Sequence, residues 1–223
     1  MVNFYWQRLA GITCTAGMLL GASVAPARAD IMYFFDNPSG FNTGLNGQNI
    51  TDANVLFNSE ELTLTGNPVE GRTQDGFLLN FSTTGDTLVA SGGQATIKAS
   101  DGIFDDLLID AADSNVFFRS ISFNLDPAQV GTLTFLVRDQ FGLNPPQVQT
   151  VGVNGLYFFG AISYAGQIID NVSFTSTGGI EEIKQVRIGG AQRGTNVITP
   201  EPASIALFGL AAVAAAMSRR RKK

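Results

Sequence analysis

The chain is 223 residues long and carries 14 basic and 19 acidic side chains, one cysteine and no histidine. The charge is unevenly spread: residues 30–202 hold seven basic against all nineteen acidic residues, a formal charge of −12, and the other basic residues sit at the two ends. Cys14 and the only tryptophan, Trp6, fall in the first 29 residues, so the region between the ends has no disulfide, thiolate or imidazole, and its acidity argues against nucleic acid as a partner.

Residues 1–29 read as a secretory signal peptide. Arg8 gives a weakly basic start, 9–24 is uncharged and largely apolar, and Ala27-Arg28-Ala29 places small residues Ala27 and Ala29 at a cleavage site. Signal peptidase and the secretion machinery are therefore expected partners, and the mature chain is expected to begin at Asp30. A membrane span is the weaker reading, because the apolar run is short and ends at that site.

About 170 residues follow before the tail, enough for one domain with its own core. Runs rich in Phe, Val, Ile, Leu and Thr are separated by Gly, Asn, Asp and Ser. They predict strands at 31–35, 54–57, 61–65, 77–82, 87–90, 94–99, 106–110, 116–125, 132–138, 148–153, 156–164, 168–175 and 183–188. Alternation is plainest where Ile121, Phe123 and Leu125 share one face and Ser120, Ser122 and Asn124 the other; Leu133, Phe135 and Val137 repeat it. In Tyr157-Phe158-Phe159 the middle ring faces away from its neighbours; the expected arrangement buries both faces, in a central strand or under a loop, and the alternative points Phe158 out with the others in, or the reverse. Antiparallel sheets with one buried face follow, and this many strands exceed one open sheet. The expected fold over 30–190 is all-β: an antiparallel, jelly-roll-like β-sandwich, with no helix between the two ends. A β-helix is the second choice, but no fixed repeat period supports it.

Residues 101–113 contain five carboxylates: Asp101, Asp105, Asp106, Asp110 and Asp113. Clustered Asp on extracellular loops supplies the oxygens calcium wants, which makes Asp105 and Asp106 the candidate ligands; the competing reading is a solvated acidic turn. No other cofactor is expected. Glu60-Glu61 and Glu181-Glu182 are the paired carboxylates to weigh for glycoside hydrolysis, but adjacent strand residues face opposite ways. No nucleophile elbow, P-loop or histidine pair is present, so the chain is not expected to be an enzyme. A glycan-binding module is the more natural alternative. It requires an exposed aromatic or Asp-lined groove, for which Tyr33, Tyr157, Phe158 and Tyr164 are the aromatic candidates.

A polar, Gly-containing linker (191–198) leads to the tail. There Thr199-Pro200-Glu201-Pro202 is held extended by its prolines, 203–217 is apolar, and Arg219, Arg220, Arg221, Lys222 and Lys223 close the chain. As a helix, 203–217 spans about 22 Å. That is short for a ~30 Å hydrocarbon core but insertable with local thinning, and the basic end keeps the C-terminus cytoplasmic. This three-part tail, with Pro200, Glu201 and Pro202 as its motif, resembles the PEP-CTERM sorting signal (also labelled an ice-binding protein C-terminal domain, which names the tail alone). The resemblance implies an exosortase as partner in an exopolysaccharide-producing Gram-negative bacterium. Pieces of 116–190, among them Arg138-Asp139-Gln140-Phe141-Gly142 and Ile168-Ile169-Asp170-Asn171-Val172, look like the extracellular domain of many proteins with such tails. The resemblance implies export across the inner membrane and transient anchoring there. It then implies a place in the envelope, on the surface or in the biofilm matrix. A structural or adhesive role is expected, and exopolysaccharide binding is the alternative.

Overall fold

The computed structural model describes residues 31–58, 61–92, 96–153 and 155–194. The expected signal peptide with its expected cleavage residues Ala27 and Ala29, the end of the expected linker, the motif Pro200-Glu201-Pro202, the apolar segment and the basic residues 219–223 lie outside the described residues. Among those described, no helix is long and apolar enough to cross a membrane.

The chain begins with β1 (Ile31–Phe35), α1 (Pro38–Gly47), β2 (Asp52–Leu56), β3 (Thr65–Gly66), β4 (Val69–Thr73) and β5 (Leu78–Ser82). It continues through β6 (Leu88–Ser91), β7 (Thr96–Ala99), β8 (Phe104–Ala111), β9 (Val116–Phe117), β10 (Ser120–Pro127) and β11 (Gly131–Asp139). It ends with β12 (Gly142–Leu143), β13 (Gln147–Val151), β14 (Tyr157–Ser163), β15 (Ile169–Gly189) and β16 (Gln192–Arg193). All pairings are antiparallel.

The result is the expected β-sandwich, built by folding one sheet over on itself. One layer runs β13–β11–β15–β8–β5–β4 and the other β1–β14–β10–β15–β2. The 21-residue β15 belongs to both: its first half pairs β11 and β8, its second half β10 and β2. The crossing falls at Gly178-Gly179. Gly179 has φ of 72°, and a Cβ on Gly178 would lie 2.6 Å from the Gln129 carbonyl oxygen, so neither position accepts a side chain without local movement. The layers close over a core rich in phenylalanine. Phe135 of β11 stacks on Phe159 of β14 at 4.2 Å between ring centroids, with Phe123 and Phe174 packed around the pair. Each such ring contributes roughly 2–3 kcal/mol by leaving water, which lets the domain dispense with a disulfide. Arg28–Thr199 forms one compact unit around this core.

Several expectations need correction. A helix does occur within the domain. Asn37 caps α1 by accepting a hydrogen bond from Gly40 N at 2.9 Å, and Pro38 starts the first turn. Its few apolar residues, Phe41 and Leu45, are four apart and bury against Phe34, Ile50 and Ile162 on the outer side of the β1–β14 layer. Helical periodicity was invisible because two buried residues in a stretch full of Gly and Asn make a weak signal. The strands expected at 168–175 and 183–188 are one strand, and 116–125 divides into β9 and β10. Of 61–65 only Thr65 is in a strand, and β4 is an element the composition did not show. The segment expected as linker is partly docked: Gln192 and Arg193 pair with Phe117 and Val116.

Candidate functional site

On the outer face of the second layer, beside α1, Ser120 and Ser122 of the β10 alternation are buried and Asn124 is partly exposed. Ser122 and Asn124 form the floor of a groove of about 570 Å³, joined by Gln185 and Arg187 of β15 and Asp52 of β2. Along one side the start of α1, with Pro38, Phe41 and Asn42, packs against Phe158, next to Leu156 at the entry to β14. Asp36 sits at the mouth.

The floor is assembled by a bulge. Ser122 pairs with Arg187 and Asn124 with Lys184, so Phe123 opposes two residues, Gln185 and Val186. Gln185 adopts φ of 54° and turns outward, where its Oε1 accepts a hydrogen bond from Asn124 Nδ2 at 2.7 Å. Beside it, Arg187 Nε donates to Asp52 Oδ2 at 3.1 Å across the β15–β2 pairing. The terminal guanidinium nitrogens remain available, because that side chain is 44% exposed. The aromatic wall is equally constrained. Phe158 meets Phe41 edge-on at 5.5 Å, and the backbone beside it is clamped to Asp36 by two hydrogen bonds, Asp36 N to Phe158 O at 2.9 Å and Phe158 N to Asp36 Oδ1 at 3.0 Å.

Amide, guanidinium and carboxylate groups on a rigid sheet, with a half-buried ring and an exposed Leu156 at one side, suit an elongated polyhydroxylated ligand. The polar groups supply paired donors and acceptors, and the apolar wall covers the C–H face of a ring. Of the aromatic candidates, Phe158 lies in this groove, while Tyr157 and Phe159 face the main core. Tyr33 and Tyr164 line a separate cleft at the β1 edge with Met32, Asn144 and Gln147. Burial, then the charge of Asp139, pushes the Tyr33 phenol up to about 12.

The acidic run is spread over different tasks. Asp106 accepts from Thr83 Oγ1 at 2.9 Å, Thr84 Oγ1 at 2.8 Å and Thr84 N, which pins the turn after β5. Asp105 is exposed beside it, and among the described residues no group of three or more Asp, Glu, Cys or His gathers as a metal holder. Asp110 lies on the outer face of β8, where burial and then Asp170 push its carboxyl up. Glu181 is exposed and Glu182 is buried. Burial alone would raise the Glu182 carboxyl, but hydrogen bonds and charge from Lys184 and from Lys98, at 2.8 Å, hold it below its usual value.

Sequence reasoning named Ser122 and Asn124 as an outward face but missed Asp52, Gln185 and Arg187. A signal was present. The core residues Ile183 and Val186 are three apart where alternation requires two, which marks the bulge that turns Gln185 outward.

Residues 199–222 match the family model of the PEP-CTERM protein-sorting motif. The match implies processing by exosortase, and with it export and attachment to the cell envelope or surface. No curated protein matches the chain. Among solved structures, the chain is similar to a family 29 carbohydrate binding module, with a TM-score of 0.36 and 14% identity over 63% of this chain and 88% of that one. A mutant of such a module in complex with cellulohexaose gives the same score and identity over 63% of this chain and 91% of that one. Likeness at this level carries no argument about function.

Proposed function

We propose that the exported domain is an adhesive component of the cell envelope that holds extracellular polysaccharide in the groove between α1, β10, β14 and β15. The observation that carries this reading is the groove itself. It combines the hydrogen-bonding side chains of Asn124, Gln185 and Arg187 with the apolar Phe158 and Leu156 on the outer face of a sheet. The groove crosses β14, β10, β15 and β2, and the sorting motif supports an extracellular setting. The test is co-sedimentation of the domain with purified extracellular polysaccharide from an exosortase-bearing strain. Wild-type protein should pellet with the polymer, and Asn124→Ala should remain largely in solution; equal pelleting of both would remove the groove from the account.

A structural role through self-association is the second reading. It is favoured by β13, an edge strand with no charged residue, on which Val148 is 63% exposed. A monomer at high concentration in sedimentation velocity would end it.

A further inference from the structure

The electrostatics of the groove narrow the kind of polysaccharide it accepts. Asp52 is neutralised by Arg187 at 3.1 Å. Asp36 has no ion-pair partner among the described residues: it is exposed at the groove mouth and its Oδ1 accepts only the Phe158 amide at 3.0 Å. It is also fixed in place. Its own N–H donates to the Phe158 carbonyl oxygen at 2.9 Å, and the residue holds a left-handed φ of 49°, a conformation that costs a non-glycine residue energy and that the clamp maintains. A carboxylate locked beside an aromatic wall, with one oxygen uncommitted, lacks a cation.

We infer that the glycan in this groove carries free amino sugars, whose ammonium group pairs with Asp36 while neighbouring hydroxyls meet Asn124 and Gln185. The inference rests on the reading of the groove as a polysaccharide site. The rest of the domain agrees with it. Residues 30–202 carry −12, a field that draws polycations toward the surface and repels uronates and sulfated chains. Within the groove, Asp36 and Asp52 against one guanidinium leave a net negative charge.

The test is calorimetric titration of the Arg28–Thr199 unit with three probes: a chitosan tetrasaccharide under mildly acidic conditions that keep its amines protonated, its fully N-acetylated counterpart, and an alginate tetrasaccharide. The chitosan oligomer should bind best and alginate not at all. Asp36→Asn should weaken the chitosan oligomer by roughly two- to fivefold, the scale of an exposed ion pair. Asp75→Asn removes the same charge from the exposed β4–β5 turn and should leave affinity unchanged. Equal binding of the amine and acetylated forms, both lost in Asn124→Ala, would overturn the amino-sugar inference and leave the groove reading standing. An equal loss in Asp36→Asn and Asp75→Asn would reduce the effect to bulk charge and also overturn it. If none of the three oligomers binds, the amino-sugar inference fails, and co-sedimentation with the strain's own polysaccharide decides the groove reading separately.

Discussion

Arg187 Nε donates to Asp52 Oδ2 at 3.1 Å, joining β15 to β2 in the floor of the groove. Nearly half of the Arg187 side chain is exposed, so this ion pair adds less than about 1 kcal/mol to stability. Its terminal nitrogens are free to donate to a ligand, where a charged hydrogen bond is worth roughly 1.5–3 kcal/mol. Arg187→Ala should therefore weaken polysaccharide binding about tenfold or more in a binding isotherm, with little change in the urea midpoint. A parallel loss of stability and binding would mean that Arg187 acts by holding β2.

The wall of the groove depends on Gly160. A Cβ at that position would lie 2.5 Å from Phe41 Cδ2, inside the contact that seats α1 on β14. Gly160→Ala should displace the helix and cost roughly 1–3 kcal/mol, read as a lower urea midpoint. Binding should fall with it, because Phe41 supports Phe158.

Acid should loosen the second half of β15. Glu182 is buried, tied to Lys98 at 2.8 Å and to Lys184, and its carboxyl titrates below its unfolded value. A depressed carboxylate contributes stability that is present above the unfolded pKa, about 4.3, and is lost as pH falls through the folded value. Glu182→Gln should cost roughly 1–2 kcal/mol at neutral pH, since the lysine partners are themselves partly exposed. It should also flatten the acid limb of a stability profile measured by urea unfolding. An unchanged acid limb would locate the titration elsewhere.

Asp110 has the opposite sign. Burial and then Asp170 raise its carboxyl, so its contribution is fully present below the unfolded pKa and is lost as pH rises through the folded one. The ionised form therefore opposes folding at neutral pH. Asp110→Asn should stabilise by a few tenths of a kcal/mol after solvent screening, a gain visible at neutral pH and absent in acid. Destabilisation at neutral pH would show that the carboxylate is needed on that face.

Sorting is tested apart from binding. Glu201→Ala removes the central residue of the tail motif matched at 199–222. Mass spectrometry of the C-terminus and cell fractionation should show unprocessed protein retained with the membrane. Processing as in the wild type would contradict dependence on this motif.

The sandwich was legible because strands such as β10 and β11 alternate strictly: Ile121, Phe123 and Leu125, and Leu133, Phe135 and Val137, all reach the core. What stayed hidden depended on partners distant in sequence. α1 exists because Phe41 and Leu45 find Ile162 on β14, and no local propensity announces that. The continuity of β15 was masked by Gly178-Gly179, which reads as a turn and acts as the crossing between layers. The groove was half legible. Ser122 and Asn124 stood out as a polar face, and the expected covering of both faces at Tyr157-Phe158-Phe159 is close to what is observed, with Tyr157 and Phe159 against the main core and Phe158 half-buried beside Phe41 of α1. Asp52 and Arg187 meet only through the β2–β15 register, which composition does not encode.

The most direct test of the account is amide chemical-shift mapping of the 15N-labelled Arg28–Thr199 unit during titration with oligosaccharides cut from the extracellular polysaccharide. Shifts concentrated at Asp36, Ser122, Asn124, Phe158, Gln185 and Arg187 are the predicted result. Shifts centred on the opposite layer, around Asn80, Asp110 and Ser173, or none at saturating ligand, would contradict it.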